Sequence, residues 1–385
     1  MNLFETFKNE LKLIFTDAAI VVTIIAGVIL YSFLYPQPYA KKNISEIDIS
    51  VVDYDKSDIS RDIIFNLDAT AQINVKQHDL SEENAKEALL ENKIKAIVII
   101  PKHFKRDLAL NKSPTIAIGA DGSYFLIYGG VLEGTMKSIL THSAKIKVSN
   151  LLKKQVPLAA AKESYAPYAI NKINLFNKNN SYTQYVIPAV FILVLHQILL
   201  IGLGILGGGI NERMREKEDG YFKYAETWKI FLSRTVIFAS IFFMHMLFYF
   251  GYSFEHFGIT RLANIYDLLT FGFMFLLATI SFGLFMGSLF SSREIATPIF
   301  LFSSLPIIFS AGFIWPIEAL PSSIHYISLL IPATSAIHGL LSLNQLGADF
   351  SMVIDSYTIL CIQAVVYMVL AYFVFSYKRK KYYSK

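Results

Sequence analysis

Residues 181–210 read SYTQYVIPAVFILVLHQILLIGLGILGGGI, thirty consecutive positions without a charge. A bilayer core about 30 Å thick is crossed by roughly 20 apolar residues in a helix, so this run can span with residues to spare. Five further stretches of the same character flank it. Ala18 to Tyr35 precedes it; Thr235 to Phe254, Leu268 to Ser292, Ile295 to Ile317 and Ser356 to Tyr377 follow. Composition agrees, because 54% of the 385 residues are hydrophobic and only 17% are charged, against about 25% charged in a soluble domain. The expected fold class is a polytopic α-helical membrane protein with six transmembrane helices. Such a chain is not disordered, since disorder needs low hydrophobicity. Clumped apolar runs also argue against nucleic acid as a partner, despite the net charge of +5.

Orientation follows from Lys and Arg in the short segments between spans. Segments 1–17, 211–234, 291–294 and 378–385 carry 14 basic residues between them, whereas loops 255–267 and 318–355 carry only Arg261. The first set is expected in the cytoplasm, with both termini, and the lipid bilayer between the two sets. Long translocated domains are largely exempt from the charge rule, so the 20 basic residues of 36–181 do not contradict an extracytoplasmic place for that segment. The first apolar run is not read as a cleaved leader. It is too long, and no small-x-small site precedes Pro36-Gln37-Pro38. The domain plan is therefore an interfacial helix (1–17), a first span (18–35), an extracytoplasmic domain (36–181), five spans (182–377) and a cytoplasmic tail (378–385). The interfacial helix is read from Phe4, Phe7, Leu11, Ile14 and Phe15 at helical spacing.

Within 36–181 the pattern alternates strand and helix. Residues 46–54, Ala71 to Val75, Lys95 to Ile100 and Thr115 to Gly119 read as strands. Ser57 to Leu67 and Ser81 to Asn92 read as helices, with Asp58 or Ser57 as the cap of the first and Ser81 as the N-cap of the second. Tyr124 to Lys154 reads as a long helix and Pro157 to Asn180 as a polar connector. The sum is a small α/β layer domain. Asp53, Asp55 and Asp58 stand close together, but Asp58 and Ile64 occupy the positions where a calcium loop needs Gly and Glu. They read as a strand-to-helix turn, and Asp121-Gly122-Ser123 reads as another turn. The lone Cys361 excludes an internal disulfide.

Catalytic signatures are absent from the sequence. There is no G-x-x-x-x-G-K-[ST] loop, H-E-x-x-H or G-x-S-x-G. The chain is therefore read as no enzyme, with no cofactor of its own. His196 and His245 lie within spans, where they can relay protons or simply hydrogen-bond in the bundle. No span carries Asp or Glu near its centre, which argues against proton or sodium coupling. Gly283 and Gly287 form a small-x-x-x-small pair suited to close helix packing.

Two segments stand out. One is Arg215-Glu216-Lys217-Glu218-Asp219-Gly220, between the second and third spans. The other is Ala311-Gly312-Phe313-Ile314-Trp315-Pro316-Ile317-Glu318-Ala319-Leu320-Pro321, which opens an outer stretch, 318–348, with Glu318 as its one charge. Proline breaks there fit short helices dipping into a leaflet, a re-entrant segment. In motif and in order of elements the chain resembles the membrane subunit of type-2 ATP-binding-cassette exporters with a large extracytoplasmic insertion. The first segment is similar to that family's R-E-K-E-x-G-T motif, with Tyr221 in place of Thr, and the second to its S-G-F-x-x-P-x-E-x-x-P pattern. Lys8-Asn9-Glu10-Leu11 and Asp17 resemble its amphipathic N-terminus. Leu175-Phe176-Asn177 and Pro188 resemble the entry to its second span, although Lys178 stands where Pro is usual.

The resemblance implies a permease in the bacterial cytoplasmic (inner) membrane that pairs with a second permease subunit, homo- or heterodimeric, over separate ABC ATPase subunits. ATP and Mg would be bound by that partner. Arg215 to Gly220 would couple to the ATPase within a loop 211–229, with Glu216 and Glu218 pairing charges across the contact. Gly312, Phe313, Pro316, Glu318 and Pro321 would form an outer gate. The substrate expected is small and amphipathic, drug-like or lipid-like, and the outer domain's size is compatible with exchange with a periplasmic adaptor protein. The competing reading is a membrane-anchored binding or scaffold protein of the cell envelope.

Overall fold

A computed structural model describes residues 1–39, 45–110, 112–165, 175–177 and 181–383. The chain divides into two compact units, residues 43–173 and the remainder. The larger begins with α1 (Leu3–Thr16), opened by a capping box between Asn2 and Glu5. The chain turns through 78° into α2 (Ala18–Leu34). Asp17 makes the corner, its carboxylate accepting from the amides of Ala19 at 3.0 Å and Ile20 at 3.3 Å. A π-helical stretch, Val22–Gly27, lies within α2.

The smaller unit is β1 (Ile47–Asp53), α3 (Asp58–Asp68), β2 (Ile73–Asp79), α4 (Glu82–Leu90), β3 (Ala96–Ile100), α5 (Phe104–Ala109), β4 (Ala117–Ala120), α6 (Phe125–Lys153) and α7 (Leu158–Tyr165). The strand order is β2-β1-β3-β4, with β1 parallel to β2 and β3, and β4 antiparallel to β3. One face buries Ile49, Val51 and Val98 with Ile63, Leu67 and Val131; the other buries Val52 and Ile97 with Ala85 and Ala88. The parallel strands are consequently apolar on both faces. Ser81 caps α4 as expected, and of the two candidates for α3 it is Ser57 that caps, with Asp58 inside the first turn. β2 starts two residues later than predicted and runs on to Asp79, because pairing with β1 continues past a bulge at Ile49/Ser50. The connector expected at 157–180 contains α7; most of its remainder lies outside the described residues. The three aspartates are each engaged by the chain. Asp53 accepts from the amides of Asp55 and Lys56 at 3.0 Å and from Ser60 Oγ at 2.6 Å. Asp55 accepts from the Lys105 amide at 3.1 Å, and Asp58 pairs with Lys105 at 2.7 Å.

The larger unit resumes with α8 (Tyr182–Arg215), α9 (Tyr221–Tyr224), α10 (Thr227–His256, with a π-helical stretch at Phe248–Ser253), α11 (Ile265–Leu289), α12 (Ala296–Ser310), α13 (Ser322–Ser328), α14 (Pro332–Leu346) and α15 (Phe350–Tyr383). At 1.5 Å per residue α8 is about 51 Å long. It is the axis of the unit, and Phe191, Leu195 and Leu199 are fully buried along it. Among the described residues, four helices (α8, α10, α11 and α15) are long and apolar enough to cross a membrane, and up to six spans result if each of two bent pairs counts as one.

The six expected spans are not established: the second bent pair is α13 with α14, within the stretch expected to be re-entrant, and the expected fifth span is not among the candidates. The first expected span is the 17-residue arm α2 of a bent pair. The fifth, Ile295 to Ile317, is helical only from Ala296 to Ser310, about 22 Å, because Gly312 takes φ +82° and Pro316 follows. The stretch 318–348 holds α13 and α14, which meet at 93°. Pro332 opens α14 at a position where its missing N–H costs nothing. The tail expected at 378–385 is helical through Tyr383; residues 384–385 lie outside the described residues.

α8 and α11 cross backbone to backbone. A Cβ built on Gly207 would lie 2.7 Å from the backbone carbon and oxygen of Gly287, and one on Gly287 would lie 2.7 Å from the Leu203 carbonyl oxygen. Side chains are excluded there, as in the small-residue crossings of membrane helices. Asn211 closes the contact by donating from Nδ2 to the carbonyls of Gly287, Ser288 and Phe290 at 3.1, 3.0 and 2.7 Å. Three carbonyls left open by the end of α11 are thereby satisfied.

Candidate functional site

The charged segment forms the C-terminal cap of α8. Glu218 N–H reaches the Arg213 carbonyl at 3.0 Å and Lys217 N–H reaches that of Met214 at 3.2 Å. This is a Schellman arrangement, with Lys217 in the left-handed position (φ 59°) usually held by glycine. The helix thus ends at Arg215, and Glu216 to Gly220 form a turn within the loop expected there. Arg215, Glu216, Lys217, Glu218 and Asp219 are exposed and Gly220 is half-buried. Lys223 bonds Asp219 at 2.6 Å and holds its carboxyl below the usual range.

Immediately beyond the turn the surface becomes a buried ionic junction. Arg234, in the second turn of α10, donates from Nε and Nη2 to the two Glu10 oxygens at 2.9 and 3.0 Å. Both side chains are essentially inaccessible, at 3% and 0%. Tyr221 donates its hydroxyl to Glu10 Oε1 at 2.7 Å. Burial, aided by the Glu10 charge, pushes the Tyr221 phenol well above its usual range, so it remains a donor. The Arg234 guanidinium lies 5.8 Å from the Phe375 ring of α15. One buried cluster therefore touches α1, α9, α10 and α15.

Three further contacts tie the same end of the bundle. Arg293 donates to both oxygens of Asp17 at 2.9 Å, Tyr383 donates to the Glu218 carbonyl at 2.7 Å, and Arg379 donates to the Ala225 carbonyl. The segments expected to share one side of a membrane, 1–17, 211–234, 291–294 and the C-terminal end, thus meet at one end of the unit.

Sequence reasoning named Glu10 and Asp17 only as part of an amphipathic N-terminus and gave Arg234 no role. A usable signal existed: an arginine within a turn of an apolar run needs a partner. Tyr221, noted as a departure from the family motif, reaches Glu10 with its phenol, a distance a threonine hydroxyl does not cover. Thr6, Glu10 and Ile14 face protein, while Phe4, Leu11 and Phe15 are exposed.

The other end of α8 carries the second segment. Tyr185 donates its hydroxyl to the Phe313 carbonyl. Gly312, at φ +82°, admits Ile317 and His338 so closely that a Cβ there would lie 2.5 and 3.0 Å from them. Gly312, Phe313, Pro316 and Glu318 line one open cavity of about 580 Å³ together with Tyr185 and His338. Pro321 does not line it; it precedes α13. Thr260 bonds Gln184 at 2.8 Å and the Leu262 amide bonds the Asn344 carbonyl at 3.0 Å, so the two sparsely charged loops also gather at this end.

A family model described as ABC-2 family transporter protein matches residues 18–373. The chain belongs to the ABC-2 transporter family. No curated protein matches it. As an ABC-2 transporter the chain is a multi-pass membrane permease; membrane subunits of this family are generally non-catalytic themselves, and membership implies association with an ABC ATPase subunit. The ABC-2 match covers both singled-out segments and Arg234; Glu10 lies before it.

Proposed function

We propose that the chain is the permease subunit of an exporter in the bacterial cytoplasmic membrane, moving a small amphipathic, drug-like or lipid-like substrate outward. ATP, with Mg, is hydrolysed by a separate ATPase subunit, and two permease subunits pair to form the path. Both termini are cytoplasmic and residues 43–173 face outward, where an adaptor protein can meet them. The observation that carries this reading is the exposed Arg215–Asp219 turn seated beside the Glu10–Arg234–Tyr221 junction. A partner that displaces the turn pulls on Tyr221, hence on Glu10 and α1, and on Arg234 and α10. Closure of a nucleotide site is a sufficient lever, since moving an equilibrium from 1:99 to 99:1 takes about 5.5 kcal/mol. The far ends of α8 and α10 then shift against Gly312, Phe313, Pro316 and Glu318, the outer gate, with Pro321 ending the segment.

Glu216→Lys with Glu218→Lys tests the docking. Both side chains are exposed, so stability should change by no more than about 0.5 kcal/mol for each. The tagged wild-type protein should bring down a soluble protein with a phosphate loop from its own cells in mild detergent, and the double variant should lose it together with transport. Undiminished transport in the double variant would sink the docking role, and capture of an envelope protein in place of an ATPase would favour the scaffold reading.

Topology has its own test. Lys86 is exposed on α4. In a Cys361→Ser background, Lys86→Cys should react with an impermeant thiol reagent added outside intact cells. Labelling only after the membrane is breached would invert the orientation.

A further inference from the structure

The open cavity beside Gly312 has a composition that selects a ligand charge. Its volume of about 580 Å³ is that of a small-molecule site. Phe176, Tyr185, Phe313 and Leu341 supply aromatic and aliphatic wall, and Glu318 is the single charged residue among those lining it. Among the described residues Glu318 makes no ion pair. His338 Nε2, also at the wall, is buried without a hydrogen-bond partner. An exposed carboxylate on an aromatic wall that carries no Lys or Arg disfavours an anion and favours a cation, and ring faces add their own attraction for positive charge. The apolar walls require a greasy body behind that charge.

We infer that this cavity is a binding site for amphipathic organic cations, with Glu318 as the counter-charge. The inference deepens the exporter reading by naming a substrate class and rests on that reading only for the ligand's being cargo; binding itself needs no ATPase.

Tetraphenylphosphonium and tetraphenylborate have nearly the same shape and opposite charge, and equilibrium dialysis of the purified full chain in uncharged detergent distinguishes them. The phosphonium should bind saturably and the borate should not. Glu318→Gln should weaken phosphonium binding about tenfold, corresponding to about 1.4 kcal/mol, and Leu341→Trp should weaken it by narrowing the cavity. Each variant is compared at an unchanged size-exclusion profile, and a Glu318→Asp variant, which keeps the charge, serves where Glu318→Gln does not fold. Equal binding of both ions, or phosphonium binding indifferent to Glu318→Gln, would overturn the site. ATP-driven transport is measured separately in vesicles with the partner ATPase. Its absence alongside charge-selective binding would count against the exporter reading alone.

Discussion

Glu10→Ala should destabilise the helical unit by about 3–5 kcal/mol, the cost of leaving one member of a buried pair without its counter-charge. Arg234 would keep its charge at 3% exposure with the Glu10 oxygens gone, and Tyr221 would lose its acceptor. Arg234→Ala should cost a similar amount for the mirror reason. Tyr221→Phe removes one hydrogen bond to a charged group and should cost about 1.5–3 kcal/mol. The informative variant is the double one, Glu10→Met with Arg234→Leu. Buried pairs replaced by apolar residues of similar volume are often neutral or stabilising, so thermal melting in detergent should show most of the stability recovered, short of the cost of the unpaired Tyr221 hydroxyl. ATP-driven transport should nevertheless stay low, because Tyr221 no longer grips α1. If transport returns with stability, the junction holds the fold together and transmits nothing.

Gly207→Val should produce the second large loss. Its Cβ would sit 2.7 Å from the Gly287 backbone, where no side chain can swing aside. The α8–α11 crossing must open, and the Asn211 bonds to the end of α11 must stretch with it. Overpacking of this kind costs about 1–3 kcal/mol, occasionally more. Gly207→Ala sharpens the comparison, because Ala is favoured over Gly within a helix by about 1 kcal/mol. A net loss there reports the crossing and not the helix. Gly209 lies two residues on, and a Cβ there would meet only Arg293 Cβ at 3.9 Å, so Gly209→Ala should be neutral or slightly stabilising. Equal melting temperatures for Gly207→Val and Gly209→Ala would refute the close crossing.

Much of the candidate site was legible because it is local. The turn at Arg215–Gly220 follows directly from the end of an apolar run, and the gate segment is marked by Gly312, Pro316 and Pro321. Four of the lining residues expected at the gate do share one cavity; Pro321 belongs instead to the start of α13. The bounds of the fifth apolar run were misread for a related reason. Hydropathy continues through Ala311 to Ile317, but backbone geometry at Gly312 ends the helix.

The sequence by itself determined what depends on neighbours along the chain. Long uncharged runs specify helices able to cross a bilayer, β-branched runs between turns specify the small sheet, and Ser57 and Ser81 specify where two helices begin. Tertiary structure alone decided what depends on crossings. Glu10 and Arg234 are 224 positions apart, and they meet only because Asp17 turns α1 through 78° against the bundle. Which face of α1 is buried was decided there too. Hydrophobic periodicity locates the apolar face of a helix, and in water that face is the inner one. Lipid tails are as apolar as leucine, so in a membrane protein Phe4, Leu11 and Phe15 can face outward while Glu10 turns in to its partner.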